Sequence, residues 1–244
     1  RIVRSALEQG DECHSRSVAG TAQFLAQIFA AALKADLHGP DLPRVVRWLS
    51  SDPHLFGGPV VGAAKLLADA AHDRPGSPVV TAIASNGHEV GIRVSGLGPQ
   101  WFVAPAPVGR GMFFPGFTAQ DSAPIMGDSF VAEVVGLGAM ALAASPVAAA
   151  HLDMGAAAVG ATRERMRGIT VRESARYRIP GLPGDGLLQG IDVHRVAARG
   201  VVPAVAAGLV HRDGRTGMIG TSIAELPLSI FVEASRSLHE LVPL

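Results

Sequence analysis

Four polar clusters interrupt an otherwise apolar chain. The first is Gly10-Asp11-Glu12-Cys13-His14-Ser15-Arg16, which puts two carboxylates, a thiol, an imidazole and a guanidinium just ahead of a helical pattern. There Arg16 and a helix start could hold an anion while His14 or Glu12 moves a proton. The plainer reading is a capping loop whose charges pair with one another. The string Asp11 to His14 also occurs in a helicase nucleotide-hydrolysis motif. That motif needs a G-x-x-x-x-G-K-[ST] partner, which the chain lacks, so it is discarded. One Cys with no paired His nearby is poor spacing for a metal.

The second cluster is Asn86-Gly87 with Arg93-Val94-Ser95-Gly96. An Arg buried in an apolar strand needs an acid or an anionic ligand. Alternation places Ile92 and Val94 on one face and Gly91 and Arg93 on the other, so Arg93 could equally sit on a wet face. The third holds Gln120-Asp121-Ser122, Gly127-Asp128-Ser129 and Glu133. Its acids could bind a cation or take a proton, or Asp128 could simply cap a helix. In the fourth, Asp192 interrupts one apolar run, His211 ends another, and Gly214 to Gly220 form a loop open to an anion. A lone Gly-rich loop is weak evidence, and most only turn the chain.

These groups must be positioned by the elements between them. Val18, Thr21, Leu25, Ile28, Phe29 and Ala32 recur at helical spacing, with Ser15 or Ser17 as cap. A short helix follows Asp41, and a third begins at Pro59 and runs to about His72. Residues 78–84 and 88–94 read as strands joined by Asn86-Gly87, a strong hairpin signal. Residues 100–106 read as an edge strand because of Pro105. The segment 109–124 reads as a structured loop.

The stretch 127–145 predicts one central helix, apolar on every side and stopped by Pro146, with Asp128 and Glu133 near its positive end. Beyond it the pattern gives a short helix at 162–167, an irregular 176–186, a short helix or turn at 191–198, β-like 201–207 and 208–212, a Gly-rich loop at 213–221, and a closing helix over 228–241. The order does not alternate, so the class is α+β. It comprises a helical segment 1–75 and an α+β region 76–244 with a small antiparallel sheet.

Lys plus Arg number 21 and Asp plus Glu 21, which argues against nucleic acid or an anionic membrane as main partner. Charged residues are 17% and mean hydropathy is +0.29, which suggests burial in an oligomer or complex. A single Cys fits a reducing cytoplasm. No signal peptide pattern is visible, and 134–150 is too short and too broken to span a membrane. The chain opens on Arg1, as if a preceding region were absent.

Taken in order, GDECHSR, SNGHEVGIRVSG with Trp101-Phe102, FFPGFTAQDSAPIMGDS with Glu133 and AASP, GIDV, and GLVHRDGRTGMIG resemble the YlbE- or AllG-type family. The likeness covers nearly the whole chain. Members of that family are longer at the N-terminus, and residues 184–189 depart from the Pro- and Thr-containing version of the motif. The resemblance implies a subunit of oxamate carbamoyltransferase, which converts oxalurate and phosphate to oxamate and carbamoyl phosphate. It also implies an FdrA-like, CoA-ligase-related partner and a third small subunit. Within the motifs, side-chain chemistry assigns His14 as proton shuttle, with Glu12 and Asp128 as its catalytic companions. Arg16 and Arg93 become anion clamps, and Asn86 and Ser129 hydrogen-bond donors. Ser95, Gly96, Glu133, Asp192 and His211 line the substrate. No cofactor is assigned; a divalent cation is the one inorganic partner the acids could hold. The alternatives are a scaffold subunit of that complex and a stand-alone metal-dependent amidohydrolase.

Overall fold

A computed structural model describes residues 13–179 and 186–241, except the side chains of residues 13–16, 147, 148 and 151. In chain order the helices are α1 (Cys13–Lys34), α2 (Leu42–Ser51), α3 (Gly57–Asp69), α4 (Val131–Val134), α5 (Pro146–His151), α6 (Ala156–Ile169), α7 (Val193–Arg199) and α8 (Leu228–Leu241). The strands are β1 (Val80–Asn86), β2 (Glu89–Val94), β3 (Trp101–Pro105), β4 (Arg110–Phe113), β5 (Met126–Gly127), β6 (Thr170–Arg178), β7 (Gly186–Ile191), β8 (Ala204–Val210) and β9 (Met218–Glu225). The fold is α+β: three antiparallel sheets, ordered β3-β2-β1-β5, β4-β9-β8 and β6-β7, with helices packed around them. No helix among the described residues is long and apolar enough to cross a membrane.

The hairpin forms where its turn chemistry puts it. Asn86 Oδ1 accepts from the N–H groups of His88 and Glu89 at 2.9 and 2.8 Å, closing the turn between β1 and β2. Period-two burial follows: Val90, Ile92 and Val94 enter the core with Ile83 and Phe102, while Arg93 faces the other way. One continuous core takes in Ala64 and Ala68 of α3, the first sheet, α4, β7, β8 and the inner face of α8. By contrast α2 buries no residue, and Leu33, Trp48 and Leu66 on the N-terminal helices are mostly exposed.

The expected central helix over 127–145 is not one helix. It is α4, a reversal through Gly136 and Gly138, a 3-10 helix at Ala139–Ala144, and then α5. Both glycines have positive φ, +84° and +93°, which ends an α-helix. A methyl on Gly138 would stand 2.2 Å from Glu133 Oε1. The chain folds back over that carboxylate instead. Ala139 N–H lies 3.0 Å from each oxygen, and Ala206 N–H donates to Oε1 at 2.7 Å. Glu133 is 2% exposed. Pro146 starts α5 rather than stopping a helix, a position where its missing N–H is harmless.

Strand content also exceeds the sequence reading. Residues 170–178 form β6, residues 110–113 form β4, and the Gly-rich stretch becomes a strand from Met218 onward. Residues 180–185 of the expected irregular segment lie outside the described residues. The β6-β7 ribbon is clamped to α6: Arg163 donates to Gly186 O at 2.7 Å, and Glu173 pairs with Arg167.

Glu133→Ala strands two buried amides and should destabilise the fold by about 3 kcal/mol or more. Gly138→Ala, which collides with the same carboxylate at a strained φ, should also destabilise clearly. Urea unfolding measures both; a loss under about 1 kcal/mol for Glu133→Ala would remove it as the organiser of this region.

Candidate functional site

Most of the polar residues singled out in the sequence have structural occupations. Glu12 lies outside the described residues, and so do the side chains of His14 and Arg16, whose backbone belongs to α1. Ser17, expected as a cap, is inside α1 and donates to His54 O at 3.1 Å. Asn86 closes the hairpin. Asp192 is the N-cap of α7: its Oδ1 accepts from His194 and Arg195 N–H at 2.9 and 3.2 Å. Asp128 and Ser129 are exposed, and neither side chain caps α4.

Arg93 is half-buried on the outer face of the first sheet. Its guanidinium lies 6.0 Å from the centre of the Trp101 ring. Nη2 is 2.5 Å from His72 Nε2 and 3.4 Å from Gly98 O, and Nε has no partner among the described residues. His72 Nδ1 is in turn 2.8 Å from Thr81 Oγ1. The imidazole therefore donates to Thr81 and accepts from Arg93. Asp73 Oδ1 is also 3.3 Å from Nε2, but it is an exposed group at longer range. Among the described residues Arg93 is thus met by a His and an aromatic face. Ser95 Oγ donates to Ala71 O and accepts from Arg74 N–H, tying β2 to the end of α3. Gly96 lets Ser77 and Leu238 pass: a methyl there would lie 2.8 Å from Ser77 N and 2.9 Å from Leu238 Cδ2.

Two sequence clusters do meet. The loop after β8 returns against the 3-10 turn Ala119–Asp121. Ala123 N–H donates to Val210 O and Arg212 N–H to Asp121 O, both at 2.8 Å. Arg212 Nη1 adds a bond to Gln120 O at 3.1 Å. This seats His211 edge-on to Phe117, with ring centres 5.8 Å apart. Its Nδ1 lies 2.9 Å from Asp213 Oδ1 and 3.1 Å from Asp213 N. With the proton on Nδ1 it pairs with the carboxylate; without it, Nδ1 accepts the amide. The same loop accommodates either tautomer of the imidazole. Asp213 is fixed from the other side by Thr216 N–H, Arg215 N–H and the Thr216 hydroxyl, which hold its carboxyl well below the usual range. Thr118 N–H and hydroxyl likewise lower Asp121.

Sequence reasoning named His211 but missed Asp213, Arg212 and His72. The available signal for Asp213 was its place before Gly, Arg and Thr, where an Asp closes an Asx-turn. Arg93 and Asp128 are not brought together: Arg93 pairs with Ala82 on β1, while the strand preceding Asp128 pairs with the opposite end of β1, at Ser85 and Asn86. Among the described residues, no three of His, Cys, Asp and Glu converge as metal ligands.

The Asp213 bonds favour its ionised form, so their contribution is complete above the ordinary 3.8 and is lost progressively as pH falls from there through the lowered value. The amide resonances of Arg215 and Thr216 should therefore show no step at the ordinary carboxylate midpoint of 3.8. A titration of those signals at the ordinary carboxylate midpoint would show that the loop does not hold Asp213 this way.

Residues 1–129 match the family described as oxamate carbamoyltransferase subunit AllG. The uncharacterized protein YahG of Escherichia coli (strain K12) is 35% identical over 240 residues, 96% of this chain and 49% of YahG. The oxamate carbamoyltransferase subunit AllG of the same organism is 32% identical over 241 residues, 98% of this chain and 57% of that protein. A crystal structure of a conserved protein of unknown function from Enterococcus faecalis V583 superposes with a TM-score of 0.86 at 35% identity, covering 99% of this chain and 58% of the other. The chain spans about half the length of the curated relatives it matches. With five ordered motifs, a matching family over more than half its residues and a whole-chain likeness in three dimensions, the chain belongs to the AllG family.

Proposed function

We propose that the chain works as part of an oxamate carbamoyltransferase-type assembly, and that the His211 loop is its proton-handling site. The observation that carries this reading is the His211–Asp213 pair, held where two motif segments meet. Transfer of a carbamoyl group from oxalurate to phosphate forms a phosphate O–C bond and breaks the C–N bond to the oxamate nitrogen. That nitrogen must gain a proton, and phosphate must arrive ionised. An imidazole oriented by a carboxylate can move the proton. Arg212 and Arg215, both exposed beside it, supply positive charge for two anionic substrates. AllG of Escherichia coli is named as a subunit, and this chain would likewise act with other chains: an FdrA-like protein and a third small subunit. Arg93 and the residues of the first cluster, Glu12, His14 and Arg16, belong to the same proposal as further anion or proton groups.

A second reading has its own support. Asn86, Ser95, Glu133 and Asp192 are engaged with backbone amides or carbonyls, as befits a scaffold subunit. Single-turnover formation of carbamoyl phosphate from oxalurate by the reconstituted assembly separates the two. His211→Ala should lower the rate about 100-fold or more while the assembly still forms. Full activity of that variant assigns the chain to the scaffold reading, and a wild-type assembly that makes no carbamoyl phosphate removes the proposed reaction.

A further inference from the structure

The free edge of the first sheet is a built seam. β3 lies at the end of the order β3-β2-β1-β5, and nothing among the described residues pairs with its outer side. Its hydrogen-bond parity can be read. Ala106 N–H donates to His88 O at 2.8 Å, so the pairs two and four residues back, Ala104–Val90 and Phe102–Ile92, are the hydrogen-bonded ones. The N–H and C=O groups of Trp101 and Val103 therefore point outward. Pro105, next in that row, has no N–H to offer. Pro105 is the one guard at the end of this edge; the strand carries no Lys and no bulge within Trp101–Pro105. Trp101 and Val103 are 44% and 49% exposed. Beside the edge runs a cleft of about 320 Å³ lined by Gln100 to Val103 and, on α8, by Glu233, Arg236 and Ser237.

We propose that this edge pairs with the same edge of a second copy of the chain. Antiparallel strands related by a two-fold axis at Phe102 place Trp101 opposite Val103 of the second copy, and Val103 opposite its Trp101. This register satisfies every outward N–H and C=O of the two residues in reciprocal pairs. A shift of two residues toward the C-terminus would put Pro105 opposite Trp101 and lose a donor. The chosen register also makes two aromatic–β-branched cross-strand pairs from side chains that are now half in water. The two four-stranded sheets become one, with both α8 helices antiparallel on the same face. Glu233 and Arg236, one turn apart on the cleft wall, then meet the second copy with opposite signs facing. The Glu233 and Arg236 charges are self-complementary under a two-fold, which favours a second copy over an unrelated strand.

Sedimentation equilibrium of the chain, with amide exchange read at Trp101 and Val103, tests the seam. The wild type should show twice the 25.1 kDa of one chain, with both amides protected. Val103→Lys, an outward-facing change, should weaken the dimer about 100-fold or more and expose the Trp101 amide. Glu233→Arg should weaken it about 10-fold, and Glu233→Arg with Arg236→Glu should restore it; both residues are exposed, so folding is not at stake. A wild type that stays monomeric at about 100 µM overturns the proposal. So does a dimer indifferent to Val103→Lys, or protection of the two amides that appears only when a different protein is added.

Discussion

A buried carboxylate must be met by N–H donors or a cation, and the way Glu133 is met decides the middle of this fold. It draws in the amide of Ala139, just past a reversal, and the amide of Ala206, 73 residues along the chain. One side chain thus fixes the break after α4, the start of the following 3-10 helix and the position of β8. An uninterrupted helix over this stretch would have satisfied its own amides, Ala139 among them, internally. The chain forgoes those bonds because Gly136 and Gly138 admit the left-handed turns and because the close approach to Leu188 O and to Glu133 leaves no room for a Cβ. The result is a compact knot of backbone in the core, where a rod was expected.

The parts of the fold that were legible are those with local causes. The β1–β2 hairpin follows from Asn86-Gly87 and period-two burial. The helical pattern of α1 and the inward stripe of α8, with Ile230, Phe231, Ala234 and Leu238, follow from 3.6-residue spacing. The illegible parts have distant causes. β4 is only Arg110–Phe113, without alternation, and becomes a strand because β9 lies beside it. β9 begins inside a Gly-rich run that reads as loop. β6 follows directly on α6, and its nine residues carry five charged or Tyr side chains on the way to β7. In each case tertiary pairing overrode local preference.

The same division applies to the candidate site. His211 was legible because it ends an apolar run. Its partner was not, because Asp213 looks like an ordinary turn residue until the loop is seen to place it against the imidazole. Arg93 was legible as an unusual residue, but its protein partner is one no pattern discloses: His72, 21 residues earlier, just past the end of α3. Buried polar groups in this low-charge chain are thus matched mainly to backbone and to one another.

That matching explains why family membership and chemistry can be read with such different resolution. Asn86 closes a turn, Ser95 ties a strand to a helix end, Gly96 permits a crossing, Glu133 holds a reversal and Asp192 caps a helix. The backbone of this fold demands these residues, whatever reaction the surface performs. A group whose hydrogen bonds are committed to the backbone cannot serve a substrate without releasing its partners, at a cost of about 1–3 kcal/mol for each that is buried. The residues still able to serve are those the fold does not require. They are His211, whose Nδ1 alone is engaged by Asp213; Arg212 and Arg215 on the same rim; and Asp128 and Ser129, exposed ahead of α4. Function in this chain is to be sought where structure leaves polar atoms idle, and the motif residues committed to the backbone are the poorest candidates.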